Sequence, residues 1–423
     1  MEGGGVESKG VPLLDRPAGA STAQTLGNII VSVVGTGVLG LPFALRIAGW
    51  LAGSLGVMIA GLSTYYCMLL LVQCRDKLAS EENSSGKKTY GDLGHGCMGR
   101  TGRYITESLI LIAQCGGSVA YLVFIGQNLS SMLNGHGFSV ASCIFLLVPV
   151  EIGLSWIGSL SALAPFSVFA SVCNVLAMAF VVKEDIQQAV EGEFSFRDRT
   201  AITSSIGGLP FAGGMAVFCF EGFGMTLALE GSMRDKSTFP RLLAQAFTGI
   251  TLVYCLFGFA GYMAYGDQTL EIVTLNLPHN WSAMVVQIGL CLGLIFTFPI
   301  MLHPINEIIE GKLVKGKWFQ KAHDDNDDYS TTPPLGRFAV YVSRAIVVIV
   351  LAVLASCVPG FAVFASLVGS TVCALISFVL PASFHLALLS SSLKLWQGTL
   401  DCCILFCGML FAAYGVYNAV VGV

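Results

Sequence analysis

Charge is scarce in this chain. Asp, Glu, Lys and Arg make up 11% of its 423 residues, where an average soluble domain carries about 25%. So little charge cannot cover a water-facing surface, which excludes an ordinary soluble domain. Catalytic signatures are also missing: there is no HExxH, no GxGD of the intramembrane aspartyl type and no Walker glycine loop. The polar connections are too short to hold an ATPase or another soluble catalytic domain. A formal net charge of −4 comes without a basic stripe suited to nucleic acid.

Cysteine is plentiful, with fourteen residues, but most lie inside apolar runs. Cys67, Cys115, Cys143, Cys173, Cys219, Cys255, Cys291, Cys373 and Cys407 read as small packing residues there. No pair has metal-ligand spacing, and the adjacent Cys402 and Cys403 do not suit a zinc cage. The stretch to about Ser21 is glycine-rich and polar, without the order of a cleavable signal. Its Leu13-Leu14 pair lacks the upstream acid of a sorting motif, since Lys9 stands there.

What the sequence has instead is hydrophobic length. Its apolar fraction is 54%, gathered into stretches of about twenty residues, the length that crosses a bilayer. Eleven spans are expected, at about 23–46, 50–74, 103–132, 139–156, 160–182, 208–231, 239–265, 281–308, 338–358, 360–383 and 398–420. The longest connections are 75–102, 183–207 and 309–337, the last holding the acidic run Asp324–Asp328 and Pro333-Pro334. Residues 1–21 read as a disordered cytosolic tail and 22–423 as one membrane domain. With the N-terminus in the cytosol, 17 of the 22 Lys and Arg fall on the cytosolic side, the asymmetry that sets orientation. The C-terminus then faces the lumen. The sequon Asn280-Trp-Ser282 also faces the lumen, Asn83-Ser-Ser85 the cytosol, and Asn128-Leu-Ser130 falls inside span 3.

Two spans carry helix breakers at mid-depth. In span 1, Gly35, Thr36, Gly37, Gly40 and Pro42 interrupt the stretch from Ile29 to Leu45. Glycine in a helix costs ~1 kcal/mol and proline ~3 kcal/mol relative to alanine, and freed backbone groups in hydrocarbon lack water as a partner. Span 6, Gly207 to Glu230, carries Gly213 and Gly214, then Phe220-Glu221-Gly222-Phe223-Gly224. The second interruption comes five spans after the first, the layout of an inverted five-plus-five repeat whose broken helices build a substrate site. The halves fall at about 22–182 and 208–383, with 398–420 as an added helix.

The break at Gly35–Gly37 offers amide donors and the start of a half-helix, a combination that suits a carboxylate. The alternative for the same small residues is close helix packing. Glu221 is an acid in the middle of a membrane helix, where desolvation disfavours its charged form. It reads either as a group that binds and releases a proton or as a tie between helices. Tyr121 could close a pocket or simply pack. Thr297, Pro299, His303 and Pro304 bend span 8. Arg344 pairs with an acid or snorkels, and Glu107, Glu151 and Asp401, all near span ends, read as interfacial.

Two segments carry a family resemblance. Thr25 to Leu45 (TLGNIIVSVVGTGVLGLPFAL), followed by Ala48-Gly49-Trp50, resembles the first helix of the amino acid/auxin permease superfamily. Phe218 to Met233 (FCFEGFGMTLALEGSM) resembles the sixth helix of its proton-coupled amino acid transporter branch. The likeness extends over spans 1 to 11 and is nearest to plant vacuolar neutral amino-acid exporters. It implies an all-α, five-plus-five inverted-repeat (LeuT-like) transporter fold with discontinuous helices 1 and 6, acting as a monomer without a cofactor. It also implies a site in which a substrate carboxylate meets the backbone at Gly35, Thr36 and Gly37. The substrate ammonium meets carbonyls around Val33, Val34, Phe218 and Phe220, beside Gly222, and the side chain points towards helices 3, 6 and 8, with Tyr121 on helix 3. Animal proton-coupled relatives carry a histidine early in helix 1; that position is Asn28 here, which cannot titrate.

The sequence therefore leads to an expectation of a secondary transporter, not an enzyme, moving neutral amino acids with protons from the vacuole lumen to the cytosol. Glu221 is its proton-coupling group. A membrane amino-acid sensor and an auxin or other weak-acid carrier are the alternatives.

Overall fold

The computed structural model describes residues 21–81, 88–133, 137–157, 160–191, 198–205, 207–278, 280–314, 334–390 and 393–421. The N-terminal tail before Ser21, the Asn83 sequon and the acidic run Asp324–Asp328 lie outside them. The described residues contain helices and no β-strand. Among the described residues eight helices are long and apolar enough to cross a bilayer, and the bent pair Thr22–Val33 and Thr36–Ala48 makes a ninth. Val140–Ser155 is a shorter apolar helix. Large apolar side chains such as Leu62, Leu256, Val353 and Phe406 stand exposed on the outer faces, as lipid contact requires. This is an all-helical, multi-pass membrane protein.

The first helix, α1 (Thr22–Val33), starts at a capping box in which Ser21 and Gln24 satisfy each other's backbone amides. It stops at Val33; Val34 and Gly35 are extended, and a 3-10 turn over Thr36–Gly40 leads into α2 (Leu41–Ala48). The two halves are bent by 45°. Gly49 ends α2 with a φ of 91°, and a Cβ there would lie 2.5 Å from the Ala201 carbonyl oxygen, so this corner needs glycine. The following helices are α3 (Trp50–Glu81), α4 (Tyr90–Met132), α5 (Val140–Ser155) and α6 (Leu160–Val190).

After these come α7 (Gly208–Cys219), α8 (Phe223–Ser232), α9 (Phe239–Tyr265), α10 (Trp281–Val314) and α11 (Pro334–Ser356). The next span begins as α12 (Phe361–Val368), passes through π-helical turns over Gly369–Cys373 and Leu375–Val379, and ends as α13 (Leu380–Leu389). The last helix is α14 (Leu395–Val421). Alternating crossings bring the start of α1 and the Arg75 end of α3 to one side, here called proximal. Arg75 pairs there with Glu230 at the end of α8, Nη2 to Oε1 2.9 Å. On the opposite, distal side Arg46 donates to the Thr269 carbonyl at 2.8 Å.

Helix ends depart from the apolar stretches where polar residues extend them. α4 begins in the connection expected at 75–102, because Thr89 and Asp92 form a capping box at its start. It then kinks at Met98 and Gly99, whose φ is 63°. Helices α7 and α12 approach backbone to backbone. A Cβ on Gly369 would collide with the Gly214 carbonyl, and a Cβ on Gly214 with that of Ser366. The pair Gly213-Gly214 thus lies within an intact helix, where the second glycine permits a crossing.

Candidate functional site

The two interrupted segments meet at the middle of the bundle. α7 ends at Cys219, Phe220 closes its last turn by donating its amide to Ala216 at 3.2 Å, and α8 begins after Gly222. A Cβ on Gly37 would lie 3.1 Å from Cys219 Sγ and 3.3 Å from Phe218; one on Gly222 would lie 3.1 Å from Val33 Cγ2. The segments are therefore in van der Waals contact. A Cβ on Gly35 would meet nothing within 4 Å. The bare backbone of the first break borders open space.

The polar ends of four half-helices converge there. The last carbonyls of α1 and α7 carry partial negative charge, and the first amides of the turn at Thr36 and of α8 carry partial positive charge. One side chain spans both breaks: Tyr254 on α9, 0% exposed, donates its hydroxyl to the Val33 carbonyl at 3.2 Å or the Cys219 carbonyl at 3.4 Å. Glu221 lies in the second break. Its Oε2 accepts from Ser377 Oγ at 3.4 Å, in the π-helical stretch between α12 and α13, and its carboxylate also faces the Phe223 amide and the Cys373 thiol.

Space differs between the two sides of the breaks. On the proximal side a narrow cleft is lined by Ile29, Ser32 and Val33 of α1, Met68, Gly222, Thr226 and Leu229, and Phe239 and Leu243 of α9. Val33 and Gly222 belong to both cleft and breaks. On the distal side Val38 and Leu39 are fully buried, and Phe361 meets Phe124 and Phe218 edge-on at 5.4 and 6.4 Å. Above them Glu271 accepts from Gln127 at 3.3 Å and from the Ala362 amide at 3.4 Å, while Gln127 accepts from the Phe361 amide at 3.3 Å. The distal side is closed over the breaks.

The residues singled out in the sequence fall as follows. Val33, Thr36 and Gly37 are buried, and Val34, Gly35, Phe218, Glu221 and Gly222 are half-buried around the junction. Phe220 is 1% exposed, and its ring turns to Phe247 and Tyr254, with centroids 6.0 and 5.1 Å away. Only the backbone of Phe220 is left to face a ligand. Tyr121 is half-buried on α4, one turn before Phe124. Two residues read as interfacial are fully buried instead, Glu151 and Asp401; nearness to a span end does not reveal which face meets a neighbour. Arg344 pairs with Glu310 at 2.7 Å. Tyr254, Ser377 and Cys373 were not legible as site residues, because a lone tyrosine, serine or cysteine in an apolar helix carries no spacing signal.

Two breaks that meet inside an apolar helical bundle leave backbone donors and acceptors around a small space, an arrangement that membrane carriers for small solutes use. Residues 18–421 match the family described as transmembrane amino acid transporter protein, and the chain belongs to that family. It is a transporter and not an enzyme. It is 64% identical over 420 residues to amino acid transporter ANT1 of Arabidopsis thaliana, covering 98% of this chain and 97% of that one. It is 36% identical to amino acid transporter AVT3A of the same plant, covering 97% of this chain and 91% of that one. Vacuolar amino acid transporter 4 of Saccharomyces cerevisiae is 28% identical, covering 95% of this chain and 58% of the yeast protein. Among solved structures the fold is similar to the inward-facing conformation of Mhp1, with a TM-score of 0.57 at 12% identity over 90% of this chain and 82% of that one. It is also similar to MhsT in complex with L-phenylalanine, with a TM-score of 0.52 at 13% identity over 96% of this chain and all of that one.

Proposed function

We propose that the protein is a secondary active transporter that moves neutral amino acids together with protons from the vacuole lumen to the cytosol. The fold is read as eleven crossings built from two inverted repeats, with the helices interrupted at Gly35 and Glu221 as its discontinuous pair. The observation that carries this reading is the meeting of the two breaks around open backbone, with an ionisable side chain in one of them. A zwitterion has the charges that such a junction recognises. Its carboxylate would meet the amides at Gly35, Thr36 and Gly37. Its ammonium would meet carbonyls of Val34, Phe218 and Phe220 and the second lone pair of Val33, with no charged side chain needed.

Glu221 is the coupling group in this reading. Protonated, it removes a charge from the junction and favours loading from an acidic lumen; deprotonated on the cytosolic side, it favours return of the empty carrier. The cleft beneath Val33 and Gly222 supports release to the proximal side, which the lysine and arginine distribution assigns to the cytosol. The distal contacts of Glu271, Gln127 and Phe361 would then open for lumenal access, a rocking exchange around a fixed site. Support for vacuolar residence comes from the yeast relative, whose name carries it. The test is uptake of a panel of labelled amino acids into proteoliposomes with and without an imposed pH gradient. The gradient is expected to drive accumulation in the native protein and not in Glu221→Gln. Gradient-driven uptake by the variant would remove Glu221 from this role.

A further inference from the structure

A second polar cluster inside the bundle joins three helices on the proximal side and takes no part in the breaks. His385 on α13 is 1% exposed and Asp401 on α14 is 0% exposed. Nδ1 of His385 lies 2.6 Å from Oδ2 of Asp401, and Nε2 lies 3.0 Å from Oε1 of Gln73 on α3. Tyr66, also on α3, donates its hydroxyl to Oδ1 of Asp401 at 2.7 Å. Among the described residues His385 is the one fully buried histidine.

Proton bookkeeping gives this cluster two complete states. The Asp401 carboxylate accepts from Tyr66 and from His385, so Nδ1 carries a proton in both. When Nε2 is protonated as well, the Gln73 carbonyl oxygen accepts from it, and the pair is imidazolium and carboxylate with no net charge. When Nε2 is bare, the Gln73 amide turns over and donates an N–H to it, since either amide orientation satisfies the same positions. Every polar atom keeps a partner in each state. Loss of that proton leaves the site with one net negative charge, and the sense of its bond to α3 reverses.

A proton has a short way in. Gln73 is exposed and precedes Arg75 and the exposed Asp76, so Nε2 is one side chain from the proximal aqueous boundary. The other titratable groups facing the pair are uncharged near neutrality. On α3 these are the Cys67 and Cys74 thiols, within electrostatic range of Asp401. On α4, Cys97 lies 4.0 Å from the Phe384 carbonyl, and Tyr90 stands edge-on to the Phe384 ring and donates to Ile376 at 2.6 Å. On α14, Cys402 and Cys403 are exposed. Arg75 is occupied by Glu230 and Asp76.

The geometry points to His385 and Asp401 as a proton-binding site, separate from Glu221, that switches how α13 is bonded to α3. Through the same span it reaches the second break. Ser377, two turns before His385, is the residue that donates to Glu221, so a change in how α13 sits against α3 is felt at the coupling carboxylate. The proton site stands by itself; only this last link rests on the proposed function.

The experiment is amino-acid counterflow in proteoliposomes at equal pH on both sides, scanned from about pH 5 to about pH 8, the range in which histidine changes charge. Thermal melting of the purified proteins over the same range is a readout independent of transport. The native protein is expected to show a pH step in both, and His385→Gln and Asp401→Asn to lose it. Glu221→Gln is expected to keep the step in thermal melting while losing gradient-driven uptake. If His385→Gln does not fold, Gln73→Met decides: it removes only the partner of Nε2 and is expected to displace the step. Profiles of the His385 and Asp401 variants that run parallel to the native ones, or an undisplaced step in Gln73→Met, overturn the proposal. Gradient-driven uptake surviving in Glu221→Gln would instead refute the coupling role of Glu221 and leave the His385 profiles to be judged alone.

Discussion

The Tyr254 hydroxyl lies 3.2 Å from the carbonyl oxygen at Val33, the last residue of α1, and 3.4 Å from that of Cys219, the last residue of α7. One side chain on a continuous helix thus holds the ends of two interrupted ones at the same level. Two carbonyls that lost their helical partners share a single donor, and each keeps a lone pair for another.

Tyr254→Phe removes that donor and keeps the ring against Phe220. A neutral hydrogen bond contributes about 1 kcal/mol, which corresponds to about fivefold in affinity. The expected outcome is normal expression with apparent substrate affinity weakened by about that factor, read from the concentration dependence of uptake. An unchanged affinity would show that the bridge does not shape the site.

Arg75 holds Glu230 on the proximal side, and their side chains are 11% and 3% exposed. Removing one partner of a buried pair costs about 3–5 kcal/mol, whereas apolar replacement of both is often neutral. Arg75→Ala is expected to lower the melting temperature strongly in detergent, and Arg75→Met with Glu230→Leu to recover most of the loss. A double variant no better than the single would contradict the pairing as the cause.

Much of this was readable beforehand, and the exceptions share a cause. The apolar stretches foretell where the helices lie, since bilayer thickness fixes their length. The glycines and Pro42 between Gly35 and Leu45 mark the place where α1 stops, because backbone chemistry is local. By contrast, the π-helical turns from Gly369 to Val379 sit in ordinary apolar sequence. They coincide with the backbone contact between Gly369 and Gly214, which sequence spacing does not reveal. Asp401 looked interfacial because its partners His385, Gln73 and Tyr66 lie on two other helices.

Asp185 lies on α6 beyond the apolar run that ends near residue 182, with both carboxylate oxygens buried and without a hydrogen-bond partner among the described residues. Burial first, and the Glu184 carboxylate second, push its carboxyl up from 3.8 to about 7. Between those values the folded protein holds a proton that the unfolded chain has released, so this group lowers stability as pH rises through the interval. Asp185→Asn is expected to raise the melting temperature near neutral pH and to leave it almost unchanged near the lower limit. A gain of equal size at both ends would refute the charge as its source.

Asn280 is exposed at the distal start of α10, where its Oδ1 accepts from the Ala283 amide at 2.8 Å. With the proximal side cytosolic, the sequon at Asn280 is lumenal and that at Asn83 is not. Expression in a glycosylating host should give a glycosidase-sensitive mass shift that Asn280→Gln abolishes and Asn83→Gln leaves intact. Glycan on Asn83 would invert the orientation and the direction of transport proposed from it.

The central claim is that a zwitterion is held by the opposed backbone ends at the two interruptions. A structure of the protein with a bound transported amino acid tests it directly. The account predicts ligand density with the carboxylate on the amides at Gly35–Gly37 and the ammonium towards the carbonyls of Val34 and Phe218. Density seated elsewhere in the bundle, or the stretches at Gly35 and Glu221 wound into unbroken helix around no ligand, would contradict it.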